Sequence, residues 1–375
     1  MSDRIRVGII GASPDRGWAS RAHIPALRAL PDFELTAVGT SRRESADRAA
    51  RAFGAQHAFT DASALAEHPD VDLVVITVKV PAHAELISAA LAAGKHVYSE
   101  WPLTRTTSEA EALVAAAATA PGHHVVGLQA RFAPAVLRAR ELLAEGYVGQ
   151  PVSVTVYSSR GKGAGGVIPQ WAAYTLDREN AAGLLEVAGG HTLDPVEFLL
   201  GELTRISADL AIRNPHNTVA ETGERVRVTS PDHLLLSART RDDVVVAAHL
   251  HDGKLTNAHT RIEISGTEGD LVLANDTAAG APGLHAGGIQ MSDLRLLAAR
   301  GAGASWQDLT PADPAPIADL PVESRNVARL YARFAEDIRT DADTVPSFAT
   351  GLHMHRVLDA IRRSAEIGGR ASNPS

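Results

Sequence analysis

An apolar run, Ile5–Ile10, is followed by Gly11, Ser13 and Gly17 and then by a helix expected from Ala19. Glycines between a first strand and a helix let backbone N–H groups approach a pyrophosphate at the helix N-terminus, which is dinucleotide chemistry. The usual spacing is not met: Ser13 stands where a second glycine belongs and the turn is longer, so an ordinary strand–helix turn is the alternative. The second apolar run ends in Thr40-Ser41-Arg42-Arg43. A site for NAD wants a carboxylate there for the ribose 2′-hydroxyl. A hydroxyl and two guanidinium groups suit a 2′-phosphate instead, through charge-assisted hydrogen bonds of about 1.5–3 kcal/mol each. NADP is expected over NAD, which stays possible; otherwise Arg42 and Arg43 simply begin a solvated helix.

A parallel sheet must position these turns. Ile5–Ile10, Leu35–Val38, Leu73–Val78, His96–Tyr98 and Val125–Leu128 read as strands, several apolar almost throughout. Ser45–Phe53, Ala82–Ala93 and Ser108–Ala118 have helical spacing between them, which predicts a doubly wound α/β domain over 1–128. From 129 to 375 the pattern changes to an α+β domain. After a helix at Ala133–Glu145 come the strands Val152–Tyr157, Leu234–Ala238, Val244–His251, Arg261–Ser265 and Leu271–Leu273, which predict a large, open, mostly antiparallel sheet. Residues 276–321 read as loops, and helices are expected at Ser324–Arg339 and Phe348–Ile367.

Composition narrows the function. Two domains suit 375 residues, and 45% hydrophobic with 21% charged residues is ordinary for a soluble enzyme. A net charge of -8 and 4% aromatics argue against a nucleic-acid partner. No cysteine is present, so disulfides, thiolate nucleophiles and zinc–sulfur sites are excluded. The charged start and the lack of an apolar run of eighteen residues predict a cytoplasmic protein without a membrane partner. The paired histidines His123-His124, His249/His251 and His353/His355 read as surface or core residues, so no metal site is expected.

Five segments carry a family resemblance. Gly94-Lys95-His96-Val97-Tyr98-Ser99-Glu100-Trp101-Pro102-Leu103 resembles a signature of the glucose–fructose oxidoreductase and inositol dehydrogenase family. Gln129 to Pro134 with Glu145 to Gly149, Gly183 to Asp194, Ile264 to Gly269, and Pro346 to Ile361 are similar to four more, in the right order. Gly17-Trp18-Ala19, Val80-Pro81-Ala82-His83 and Glu100-Trp101 resemble the branch containing the fungal galactose-regulon repressor. The resemblance implies a Rossmann domain, a second domain that self-associates through its sheet as a dimer or tetramer, and a sugar or polyol as small-molecule substrate. With the residues read directly, it gives as candidate cofactor contacts Gly11, Ser13, Gly17, Trp18, Ser41, Arg42, Arg43, Thr77, His83, Glu100, Trp101 and Gln129, and as candidate substrate contacts Arg131, Lys162, Trp171 and Tyr174.

The family's catalytic pattern is incomplete here. Trp101 replaces its lysine, and Val187 replaces its first aspartate, although Glu186 is adjacent; His191 and Asp194 match. A neutral imidazole with a pKa near 6.5 suits His191 to proton transfer, with Asp194 orienting it or binding a hydroxyl; the alternative is a helix cap. Of four lysines, Lys79 follows a strand at the sheet's carboxyl edge, where desolvation would let it replace the missing ammonium. It could equally be a surface lysine or a structural partner. Lys162 lies in Arg160-Gly161-Lys162-Gly163-Ala164-Gly165-Gly166, either a mobile lid or a flexible loop. Trp171 and Tyr174 form a sugar-stacking wall or pack in the core. Two functions follow: an NADP-dependent oxidoreductase of sugars or polyols using His191, or a dinucleotide-binding regulator without turnover.

Overall fold

The computed structural model describes residues 4–15, 17–275 and 288–368. Two compact units form, Met1–Gln129 with Asp313–His355, and Ala130–Ala312 with Arg356–Ser375.

The first unit is built on six parallel strands: β1 (Ile5–Ile10), β2 (Phe33–Gly39), β3 (His57–Phe59), β4 (Leu73–Ile76), β5 (His96–Glu100) and β6 (His124–Gly127). Their order is β3-β2-β1-β4-β5-β6. All four residues of β4 are fully buried, because helices cover both faces of a parallel sheet. Strand order reverses between β1 and β4, and ligands bind such sheets in the crevice beyond the carboxyl ends at that point. Division of the chain into two unbroken segments at 128 differs from the structure in one respect, the return of Asp313–His355 to this unit. The helix Val322–Thr340 buries Val327, Leu330, Tyr331 and Phe334 completely, and the backbone N–H of Val126 donates to Pro346 O at 2.9 Å. Periodicity reveals that helix's apolar face but not what covers it.

The second unit holds β7 (Pro151–Ser159), β8 (Val167–Ile168), β9 (Leu203–Ala211), β10 (His216–Val219), β11 (Arg225–Arg227), β12 (His233–Thr240), β13 (Val245–His251), β14 (Thr260–Gly266), β15 (Gly269–Ala274), β16 (Arg295–Arg300) and β17 (Gln307–Asp308). Eight of them form a sheet in the order β17-β16-β15-β14-β7-β13-β12-β9. Among the described residues only β13 with β7 is parallel there, so the sheet is mixed but mainly antiparallel. The loop expectation for 276–321 is corrected by β16, which pairs with β15 along its length and buries Leu296 and Ala298. Residues 276–287 of that stretch lie outside the described residues. Along β13, Val246 and Leu250 are fully buried while Val245 is 42% exposed, so the two apolar faces differ in cover. Among the described residues no helix is long and apolar enough to cross a membrane.

Candidate functional site

At the carboxyl edge of the first unit's sheet, Gly11 has φ +98°, and a Cβ there would lie 2.9 Å from Thr77 Oγ1. Only glycine fits that turn. Thr77 is engaged in holding it, its hydroxyl donating to Ile10 O at 2.9 Å. Ser13 donates its N–H to Gly11 O, and Gly17 has φ +117° with open space around it. The Trp18 indole N–H is buried without a partner among the described residues. The side-chain amide of Gln129, just past β6, is fully buried with neither its N nor its O partnered. An unpaired buried polar group costs about 1–3 kcal/mol, which a bound molecule with complementary donors and acceptors would recover.

Beyond β2 the two arginines part company. Arg43 is occupied, donating to Asp47 at 2.6 and 3.1 Å and to Ala58 O at 3.3 Å. Arg42 and Ser41 are exposed at the start of the helix Arg43–Phe53, and the Arg42 guanidinium has no partner among the described residues. A free cation beside unsatisfied helix N–H groups is an anion site in waiting.

Three other positions are committed elsewhere. His83 is buried with Nδ1 2.8 Å from Pro102 O and Nε2 3.1 Å from Val78 O, and burial lowers its pKa. It ties together the exits of β4 and β5. Glu100 accepts from His23 Nε2 at 2.9 Å, and His23 Nδ1 is 2.7 Å from the Tyr331 hydroxyl, a buried chain. Trp101 is 4% exposed, its ring 5.1 Å from His355. Lys79 is exposed, so the water-excluded setting needed for it to replace the family lysine is absent.

In the second unit His191 occupies the first turn of the helix Gly190–Leu200. It is 3% exposed, and its Nδ1 has no partner among the described residues. Burial first, and then the Arg160 guanidinium, push its pKa down to about 3 rather than leaving it near 6.5. The ring is therefore neutral at physiological pH, an acceptor but a weak base. Asp194 is fully buried and clasped by Arg131, with Nε at 2.8 and 2.9 Å and Nη2 at 2.5 Å. That bidentate pair commits both residues, so Arg131 offers no free charge to substrate. Glu186 does not replace the missing aspartate, since it accepts from Gly183 N–H and from Arg362.

Sequence spacing did not reveal Arg160 and Asp252, which are 92 residues apart. Arg160 is 3% exposed and donates to both Asp252 oxygens, at 2.7 and 2.9 Å. Lys162 is 8% exposed; its Nζ has one long bond, 3.4 Å to Ala182 O, and no ion pair among the described residues. Burial, and next Arg160, lower its pKa to about 8. Asn217 Oδ1 and Ser230 Oγ, both buried and unpartnered, line the same cavity of about 20 Å³, which has room for a bridging water. Trp171 is 42% exposed on the short helix Gln170–Leu176, outside the small core of Ile168, Ala172, Leu176 and Val228; Tyr174 is half-buried.

Lys162 yields a stability prediction with a definite sign. Its folded pKa is below its unfolded value of 10.5, so the folded protein holds fewer protons between about pH 8 and 10.5 and stability rises with pH across that window. At pH 7 the buried ammonium costs on the order of 3 kcal/mol. Lys162→Met should therefore raise the melting temperature at pH 7, with a gain that shrinks above pH 8. Loss of stability at pH 7 would show that the ammonium is well solvated.

Known proteins can be set beside this geometry. Residues 5–128 match the oxidoreductase family with an NAD-binding Rossmann fold, and residues 134–275 match the C-terminal domain of Gal80p. The dehydrogenase aclE of Aspergillus oryzae is 30% identical over 98% of both chains. The galactose/lactose metabolism regulatory protein GAL80 of Saccharomyces cerevisiae is 29% identical over 72% of this chain and 67% of its own. Levoglucosan dehydrogenase of Pseudarthrobacter phenanthrenivorans is 28% identical over 72% of this chain and 73% of its own. Among solved structures, a super-repressor mutant of Gal80p from Saccharomyces cerevisiae superposes with a TM-score of 0.85 at 25% identity, covering 99% of this chain and 100% of that one. Levoglucosan dehydrogenase with NADH and L-sorbose shares the fold, with a TM-score of 0.82 at 23% identity and 97% coverage of each chain. The chain thus belongs to the oxidoreductase family with an NAD-binding Rossmann fold, in the part of it whose second domain resembles the C-terminal domain of Gal80p.

Proposed function

We propose that the protein is an NADP(H)-dependent oxidoreductase acting on a sugar, polyol or sugar derivative, with His191 taking up or returning the hydroxyl proton. The observation that carries this reading is the buried His191, whose Nδ1 lacks a partner among the described residues, in a chain whose other unit offers a dinucleotide edge. The Gly11 turn, the Trp18 N–H and the Gln129 amide fit a bound dinucleotide, and the unpartnered Arg42 fits a 2′-phosphate. When bound, the nicotinamide supplies the hydride chemistry. His191 stays neutral and receptive over the physiological range. Burial opposes the imidazolium, so the proton it accepts must be stabilised or passed on. Lys162, near Arg160 as His191 is, meets the desolvation argument that exposed Lys79 does not.

Self-association through the open sheet face goes with this reading. That face exposes Leu235 at 51% and Val245 at 42% beside a groove of about 920 Å³ lined by Tyr157, Ala247 and His249. A cytoplasmic location goes with it as well.

A second reading, a dinucleotide-binding regulator without turnover, is favoured by Trp101, which stands in the family lysine's place and packs in the interior against His355. Thermal-shift titration with NADP, NAD and then a sugar and polyol set in the presence of cofactor tests the proposal. A shift from NADP followed by a further shift from one substrate class is expected. Equal shifts from the two cofactors would remove the NADP preference, and no further shift from any sugar or polyol would favour the regulator.

A further inference from the structure

We propose that His57, His68 and Asp70 form a binding site for a divalent transition-metal ion of the zinc or nickel class. Each offers one ligand atom, and the three atoms lie within 4.8 Å of one another. His57 Nε2 is 3.1 Å from Asp70 Oδ2. Two donors at 2.0–2.1 Å from one tetrahedral ion stand about 3.3 Å apart, so this pair is already at ligand spacing. The two imidazole centroids are 4.1 Å apart, which sets the His68 ring beside that pair.

The scaffold holds the donors in place before any ion arrives. His57 opens β3, while His68 and Asp70 follow the helix Ala62–Glu67 on the short lead into β4. Lys95 Nζ donates to His68 O at 3.2 Å and to Val71 O at 2.6 Å, and Thr36 Oγ1 donates to Asp70 O at 2.6 Å. Arg6 Nη1 donates to Asp70 Oδ1 at 3.1 Å, which leaves Oδ2 turned to His57. Asp72 accepts from the same guanidinium at both oxygens, 2.9 and 2.7 Å, and so answers its charge. Partners of this kind, which orient a ligating carboxylate from behind, are what a working metal site requires.

Donor chemistry selects the ion. Two imidazoles and one carboxylate suit zinc, nickel or copper, and disfavour magnesium and calcium, which want oxygen ligands. Side-chain exposure of 28% at His57 and 46% at Asp70 leaves room for water to complete the coordination. Binding replaces the His57 Nε2–Asp70 Oδ2 hydrogen bond at 3.1 Å and, if His68 ligates through Nδ1, the long bond from Asp70 N–H at 3.2 Å. The cluster lies at the amino edge of the sheet, where β3 and β4 begin, opposite the carboxyl edge that holds the Gly11 turn. Its ion would clamp edge strand β3 to the lead into β4 and take no part in hydride chemistry. The expectation that the chain holds no metal site does not weigh these three residues, and the proposal departs from it.

Calorimetric titration of zinc chloride into the chelator-treated full chain tests the site. One ion per chain is expected, weakened about tenfold or more by each of His57→Ala, His68→Ala and Asp70→Asn, the order of loss when a ligand is removed or misplaced. His249→Ala, in the sheet of the second unit, should leave the affinity unchanged. Absence of saturable binding, wild-type affinity in all three variants, or loss in His249→Ala would overturn the proposal. A readout that needs no variant is the copper(II) paramagnetic resonance spectrum of the unaltered protein at one equivalent. Hyperfine splitting from two imidazole nitrogens is expected, and splitting from none, or from more than two, would overturn it.

Discussion

His191→Ala should lower turnover by about 10²-fold or more, the usual contribution of a positioned acid/base group, while dinucleotide affinity stays within about twofold. The separation follows from placement, since His191 belongs to the second unit and the dinucleotide edge to the first. The pH profile adds a sign. With a folded pKa of about 3, His191 is neutral from well below pH 6.5 upward, so turnover should not fall as pH drops through 6.5 on its account. Its depressed pKa also makes the fold acid-labile: stability is fully present above the unfolded pKa of 6.5 and is lost as pH falls from there towards 3. Burial lowers His96 and His251 to about 4 and adds to the loss in the same direction. His191→Asn should therefore flatten the melting curve's pH dependence between 6.5 and 4. A turnover limb at pH 6.5 that disappears in this variant would show the imidazole to be far better solvated than its 3% exposure implies.

The second large effect is on cofactor choice. Arg42→Ala should weaken NADP by about 1.5–4 kcal/mol, or roughly tenfold to several hundredfold in Kd, and leave NAD almost unchanged. Of the two cofactors only NADP carries a 2′-phosphate for that guanidinium to meet. Arg43→Ala should do less, because its guanidinium is already divided between Asp47 and Ala58 O. Titration of both cofactors against the two variants separates these cases. Equal losses for NAD and NADP would mean that Arg42 supports the fold rather than the 2′-phosphate.

How much was legible in the sequence depended on the range of the interaction. The apolar block Leu73–Val78 announced a strand covered on both faces, which ends at Ile76, and the glycine-rich turn after β1 announced the carboxyl-edge crevice, since both signals are local. The replacement of a lysine by Trp101 was equally plain. Pairings across long separations were not: Arg160 finds Asp252, Arg131 finds Asp194, and His23 finds Tyr331, 308 residues away. Spacing cannot report such partners, and they decide which candidates are free. Asp194 and Arg131 looked available and are spent on each other. Lys79 is expected to be desolvated at the sheet edge and Lys162 to lie in a mobile lid or flexible loop, yet the first is exposed and the second buried, because burial is set by what packs over a loop. Within 276–321, β16 was hidden by its alanines and arginines, which carry little strand propensity and become a strand only against β15.

The central claim, an oxidoreductase rather than a silent dinucleotide binder, is tested most directly by a turnover assay on the purified protein. NADP is supplied with a panel of sugars and polyols, and NADPH with the corresponding ketoses and keto-sugars, while the near-ultraviolet absorbance of the reduced nicotinamide is followed. The account predicts a saturable change with at least one member of the panel, abolished in His191→Ala and slower with NAD. Tight NADP binding with no absorbance change in either direction would contradict it and assign the chain to the regulator reading.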